Sequence, residues 1–215
     1  MCACCGRPLV SVVTQQRETA SQCHVCRRGL YDFDFARSYG AYTPAMARAI
    51  VLLKYNKVLP LGGWFASRLQ EVVAQEPEMF AADVIVPVPV HASRLRERGY
   101  NQAELIARPL ARRLGIPFRS YLLLRTKSRP DKLKLTLRER WRTVKGAYAI
   151  RQGARVDNLR VLLVDDVMTT GATLDACSRA LRGAGATSVV GLVVARAVPY
   201  VVLDGGERSP EAPEE

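Results

Sequence analysis

The run Val161-Leu162-Leu163-Val164-Asp165-Asp166-Val167-Met168-Thr169-Thr170-Gly171-Ala172-Thr173-Leu174 constrains this chain of 215 residues more than any other stretch. Four consecutive apolar residues predict a fully buried strand, of the kind that lies inside a parallel sheet with both faces covered. The strand is expected to end at the two carboxylates, with a loop rich in Thr and Gly after it. A helical pattern then covers 172–184, with Leu174, Cys177, Leu181 and Ala184 on one face, and 188–194 reads as the next strand. A helix N-terminus offers unpaired backbone N–H groups and partial positive charge, so such a unit receives a phosphate. Gly171 allows close backbone approach, and the hydroxyls of Thr169, Thr170 and Thr173 add donors. Asp165 and Asp166 do not favour a phosphate; they suit sugar hydroxyls, which donate, or a divalent cation nearby. A ligand with a phosphate at one end and a ribose diol beside it satisfies both halves. An ordinary buried strand would account for the apolar residues alone.

The same patterning extends outward. Strands are expected near 84–88, 118–124, 160–165 and 188–196, and helices over 43–58, 61–76 and 103–114, the first with Ala45, Ala49, Ile50 and Leu53 on its apolar face. Strands alternating with helices predict an α/β domain with a mainly parallel sheet. A hydrophobic fraction of 48% with 24% charged residues is a core-forming composition. The length suits one domain with a small appendage. No stretch approaches the roughly 20 apolar residues of a membrane span. Residues 1–8 lack the apolar run of a signal peptide, so a cytoplasmic protein is expected. Residues 204–215 are acidic and rich in Pro and Gly, and read as a disordered tail.

Five of the six cysteines fall in the first 26 residues. Cys2-x-x-Cys5 and Cys23-x-x-Cys26 are two pairs separated by 17 residues, the spacing of a four-thiolate zinc site in which each knuckle turns two sulfurs toward one ion. Gly6 and Gly29 follow the pairs and suit their tight turns. Disulfides compete with this assignment, but not well in a chain without an export signal. Cys4 and His24 are neighbours that could substitute as ligands, whereas Cys177 reads as a small buried apolar residue. A structural ion fits a module of residues 1–35, because so short a segment cannot bury enough surface to fold unaided. The main domain would then run over 36–203.

The formal charge is +12, and all of that excess falls in residues 91–145, which hold 16 basic and 4 acidic side chains. Solvated helix faces would not concentrate charge this way; a surface for phosphates does.

The run VLLVDDVMTTGAT resembles the phosphoribosyl-pyrophosphate (PRPP) motif of type I phosphoribosyltransferases. Taken with the cysteine pairs, Leu53-Lys54-Tyr55, the segment from Arg94 to Gln102 that contains RERGYNQ, and Val144-Lys145-Gly146-Ala147-Tyr148, the chain is similar to the ComF family over residues 2–200. Those are bacterial competence proteins with a phosphoribosyltransferase-like domain behind an N-terminal zinc ribbon. The resemblance implies a type I phosphoribosyltransferase fold, with Asp165 and Asp166 on the ribose hydroxyls. It places Met168, Thr169, Thr170, Gly171, Ala172 and Thr173 around the 5′-phosphate, and the turn after Pro89 at the pyrophosphate. Arg94, Arg98, Asn101 and Gln102 are candidates for the diphosphate or a nucleic acid. Residues 125–145 correspond to a mobile closing loop, in which Arg125, Lys127 and Arg138 could neutralise a leaving diphosphate. Where the family pattern leads us to expect a glutamine, this loop has Asp131-Lys132.

Two functions follow from the resemblance. One is a PRPP-binding competence protein that acts in DNA uptake, holds single-stranded DNA on its basic face and meets proteins of the uptake machinery. Aromatic residues among the cations could stack on bases; Trp141 is the best placed, while Phe118 and Tyr121 read as core. The alternative is an active phosphoribosyltransferase, with Mg²⁺ on the diphosphate and an unidentified small acceptor. The sequence supplies the donor half of that reaction and shows no general base. A repressor that senses PRPP ranks below both, since no helix-turn-helix is visible outside the domain.

Overall fold

The computed structural model describes residues 1–9, 22–128 and 136–197, and only the backbone of residues 24, 137, 138 and 140. In chain order the elements are α1 (His24–Arg27), β1 (Phe35–Ala41), α2 (Pro44–Tyr55), α3 (Pro60–Gln75), β2 (Val84–Pro87), α4 (Ala92–Arg98) and α5 (Gln102–Leu114). They continue with β3 (Leu123–Arg125), α6 (Leu137–Val144), β4 (Tyr148–Ile150), β5 (Arg160–Met168), α7 (Ala172–Gly183) and β6 (Ser188–Arg196). The acidic tail and Asp131-Lys132 lie outside the described residues.

The main sheet has the order β1-β6-β5-β2, and every pairing in it is parallel. Both faces are covered, which is why β5 and β6 read as near-continuous apolar runs. Alternate residues of β5 serve two cores. Val161 and Leu163 pack with Leu174, Cys177 and Leu181 of α7, whereas Leu162 and Val164 pack with Phe65 and Leu69 of α3 and Ile106 and Leu110 of α5. The second core is tight: a Cβ on Gly62 of α3 would come within 2.6 Å of the Leu105 carbonyl oxygen on α5.

Three local expectations change. β5 does not stop at the acidic pair but runs through it to Met168, because β6 is long enough to pair with Asp165, Val167 and Met168 in register. The stretch 118–124 is not a strand of the parallel sheet. Phe118 makes a single bridge to Ile85, and Leu123–Arg125 forms a separate antiparallel ladder with β4. Edge strand β1 and helix α4 are additional; the half-exposed alternation of β1 and the density of Arg on α4 hide them from a search for apolar runs. Tyr121, expected in the core, is 51% exposed.

The expected helices are present. Pro60 opens α3. Asn101 caps α5, accepting from the Ala103 N–H at 3.1 Å, and Gly115 ends that helix in the left-handed conformation. Among the described residues no helix is long and apolar enough to cross a membrane.

Candidate functional site

The connection after β2 leads to α5 on one face of the sheet, and that after β5 leads to α7 on the other. β2 and β5 are neighbours. Their carboxyl ends therefore diverge and leave a crevice between them, the place where open α/β sheets take ligands. The loop over residues 169–171 and the 12-residue helix α7 line one side, and the segment from Val88 to His91 lines the other.

The loop is held from three directions. Gly171 adopts φ of +84°, and a Cβ there would meet Tyr31 Cε1 at 2.8 Å. Tyr31 donates its hydroxyl hydrogen to the Thr170 carbonyl oxygen at 2.7 Å. From β6, the buried Arg196 guanidinium donates to the carbonyl oxygens of Met168 (3.1 Å) and Thr169 (2.6 Å). Thr170 Oγ1 accepts from the Ala172 N–H at 3.2 Å, an N-terminal helix donor already committed. The carbonyls thus face protein, and the loop turns its N–H side and helix dipole the other way.

The carboxylates of Asp165 and Asp166 point to opposite faces, as consecutive strand residues must. Asp165 is on the α7 side; its Oδ1 accepts from the Asp166 N–H at 2.9 Å, and it neighbours Tyr148 and Cys177. Burial pushes the Tyr148 phenol upward, and the nearby Asp165 adds to the rise; its hydroxyl makes no well-aligned hydrogen bond among the described residues. Asp166 is on the α2 side, 4% exposed, with Oδ2 3.2 Å from the ammonium of Lys54.

Arg125 is brought to the crevice by its bridge to His91, and its guanidinium stands 5.5 Å from the centroid of the Tyr148 ring. Lys127 donates to the Lys145 carbonyl oxygen at 3.1 Å. Arg94 and Arg98 extend from α4 at the same end of the sheet. Arg98 lies 4.7 Å over the Tyr55 ring and donates to Gln102 Oε1 at 2.9 Å. Asn101 is buried and doubly engaged, as the cap of α5 and as a donor to the Val88 carbonyl oxygen at 3.0 Å. It holds the loop beside the crevice. Trp141 stacks on Tyr31 with centroids 5.8 Å apart, so one of its faces is already covered. The side chain of Arg138 is outside the described set.

Cys2, Cys5, Cys23 and Cys26 are all buried, with their sulfurs within 4.8 Å of one another. The contacts of 3.7 Å (Cys5–Cys23) and 3.6 Å (Cys23–Cys26) match the separation of about 3.8 Å that tetrahedral Zn–S bonds of about 2.3 Å impose. All six cysteines are free thiols, so no disulfide competes. Burial raises the Cys2 thiol, but backbone hydrogen bonds from Cys23, Cys5 and Cys4 outweigh it and bring the thiol down to about 6. Cys26 is raised, by burial first and then by its sulfur neighbours. A dication among the four would satisfy them together, so the donor set fits a metal ion and suits zinc. Cys4 is not among them; its carbonyl oxygen instead accepts from the Ala36 N–H of β1 at 2.7 Å. His24 lies outside the described side chains.

Tyr31, Arg196, Tyr148 and the Lys54–Asp166 pair do not stand out in the sequence reading of the site. Lys54 and Tyr148 enter it only within the segments that carry the family resemblance, and Lys54 has a further signal as a lone cation beside Leu53 on an apolar helix stripe.

A sequence profile of the phosphoribosyl transferase domain matches residues 101–203. The chain is 32% identical over 155 residues to the DNA utilization protein YhgH of Salmonella typhimurium, an alignment that covers 71% of this chain and 67% of that one. It is 36% identical over 116 residues to competence protein F of Haemophilus influenzae, covering 54% and 51%. It is 27% identical over 194 residues to competence protein ComFC of Bacillus subtilis, covering 88% and 75%.

Proposed function

This chain belongs to the ComF family of competence and DNA-utilization proteins, with a type I phosphoribosyltransferase fold, and from that premise we propose that it binds PRPP in the crevice between β2 and β5. The supporting observation is the loop over residues 169–171. Tyr31 and Arg196 hold its carbonyls from behind at the start of α7, beside two buried carboxylates. The 5′-phosphate binds at this helix start, and the carboxylates accept from the ribose hydroxyls. Mg²⁺ bound with the diphosphate would offset its charge. Arg125 and the cations of α4 face the diphosphate from the β2 side, and zinc occupies the cysteine centre.

We further propose that single-stranded DNA tracks the basic surface formed by α4, α5 and the segment after it, and that this serves DNA uptake in the cytoplasm. Arg96, Arg112 and Arg113 are exposed on α4 and α5, and the rings of Tyr55, at the end of α2, and Tyr121, after α5, are exposed too. Tyr121 is the better platform for a base, because Tyr55 already carries Arg98.

Calorimetric titration with Mg²⁺–PRPP, and DNA binding measured across a salt series, test both parts. Asp165→Asn is expected to abolish PRPP binding and to spare DNA binding. Arg112→Ala with Arg113→Ala is expected to lower DNA affinity and its salt slope, and to spare PRPP. DNA affinity independent of salt would overturn the basic track, and wild-type protein that fails to bind PRPP would overturn the crevice assignment.

A further inference from the structure

Lys54 is the one buried cation of α2, where the other buried residues are Ile50 and Leu53. A lysine on an apolar stripe is costly unless it is paired, and so is a carboxylate on a sheet face inside a core. Here the two meet, Lys54 Nζ to Asp166 Oδ2 at 3.2 Å, with side-chain exposures of 10% and 6%. Oδ2 is itself closed off from solvent, and the ammonium is its charge partner, with no aligned hydrogen bond to it among the described residues. The charge of Asp166 is offset at this buried oxygen, while Oδ1 of the same carboxylate stays free to accept a hydrogen bond.

The end of α2 is itself fixed by the crevice's other wall. Tyr100 donates its hydroxyl hydrogen to the backbone carbonyl oxygens of Leu53 and Lys54. The next residue, Asn101, holds the Val88 carbonyl oxygen, and Arg98 covers Tyr55. One short segment therefore sets the position of the lysine and of the loop after β2 together.

We propose that Lys54 is a positioning residue for sugar recognition, which holds the Asp166 carboxylate by charge at its buried Oδ2 so that the other carboxylate oxygen, Oδ1, accepts a hydrogen bond from a ribose hydroxyl. This rests on the PRPP site proposed above. Lys54 acts through Asp166 and makes no contact with the diphosphate, which separates it from the arginines of α4 and β3. Its effect falls on any ligand that presents the ribose diol.

The test is calorimetric titration of wild type, Lys54→Met, Lys54→Arg, Asp166→Asn and the double variant Lys54→Met/Asp166→Asn, each with Mg²⁺–PRPP and with ribose 5-phosphate, alongside urea unfolding of each. Lys54→Met is expected to weaken both ligands by the same factor, about tenfold or more. Lys54→Arg restores most of the affinity, and the double variant binds no worse than Asp166→Asn alone. Should Lys54→Met not fold, Lys54→Gln takes its place in the series. Lys54→Met that folds and binds both ligands as wild type does would overturn the inference. So would loss of PRPP binding with ribose 5-phosphate spared, or losses that simply add in the double variant. Wild-type protein that binds neither ligand would bring down the PRPP site itself, and this inference with it.

Discussion

The Tyr31 hydroxyl donates to the backbone carbonyl oxygen of Thr170 at 2.7 Å, joining positions 139 residues apart. The same ring stacks on Phe33 with centroids 4.5 Å apart and on Trp141 at 5.8 Å, and it fills the space beside Gly171. The segment just after the cysteines thereby forms the back wall of the loop over residues 169–171.

Tyr31→Phe keeps the ring and removes one hydrogen bond to the loop. A loss of about 1 kcal/mol in urea unfolding is expected, with PRPP affinity down severalfold because the loop is less fixed. Unchanged stability together with unchanged affinity would show that the contact does not order the loop.

Removing metal from the cysteine centre is expected to lower the melting temperature and to weaken PRPP binding with it, because the cysteines abut the wall that carries Tyr31. Chelator titration followed by scanning fluorimetry, with a dye that reports released zinc, measures both. Cys26→Ser should mimic the chelated protein. A chelated chain that melts as the untreated one does would refute the metal assignment.

The contact of α3 with α5 leaves no room for a side chain at Gly62. Gly62→Ala is expected to cost about 1–3 kcal/mol, since the opposing atom is the Leu105 backbone carbonyl oxygen and cannot rotate away. Ile106→Ala, in the same core, opens a cavity and should cost about 2–5 kcal/mol. Urea midpoints measure both.

Hydrogen bonds from Arg160, from its side chain first and its backbone second, hold the Asp83 carboxyl down from 3.8 to about 2. An acid whose folded pKa is depressed contributes stability that is complete above the unfolded value and fades as pH falls through the folded one. The contribution of this pair is therefore full above about pH 4 and lost on acidification toward pH 2. Asp83→Asn should shallow the acid limb of a plot of urea midpoint against pH, and leave its neutral limb nearly flat. The pair is exposed, so the effect is small and screened by salt.

Much of this was legible in the residues themselves. The apolar runs at Val84, Val161 and Ser188 located three of the four parallel strands, and the Thr-Thr-Gly loop marked one side of the crevice, because burial on both faces and a backbone turn leave direct marks in composition. The two cysteine pairs located the four-sulfur cluster for a similar reason: atoms that can share one ion must be of a particular kind at short spacing. What escaped was whatever depends on pairing over distance. The length of β5 was set by β6, which drew Asp165 and Asp166 into the ladder and turned them to opposite faces. The motif marks Asn101 as a candidate for the diphosphate or a nucleic acid, but the Ala103 N–H and the Val88 carbonyl oxygen engage its amide. Trp141 looked free to stack on a base until the fold brought Tyr31 against it. Arg196 gave no signal, because a strand-end arginine is ordinary until its neighbours are known.

The four cysteines share one apolar core with α7 and the odd-numbered residues of β5. A ribbon that packed only on itself could be traded between proteins like a cassette. This one cannot: a recombination joint near residue 35 would divide a single interior between two ancestries. The cysteine segment and the sheet beneath it are thus bound to diverge together, and a change in one selects for compensation in the other.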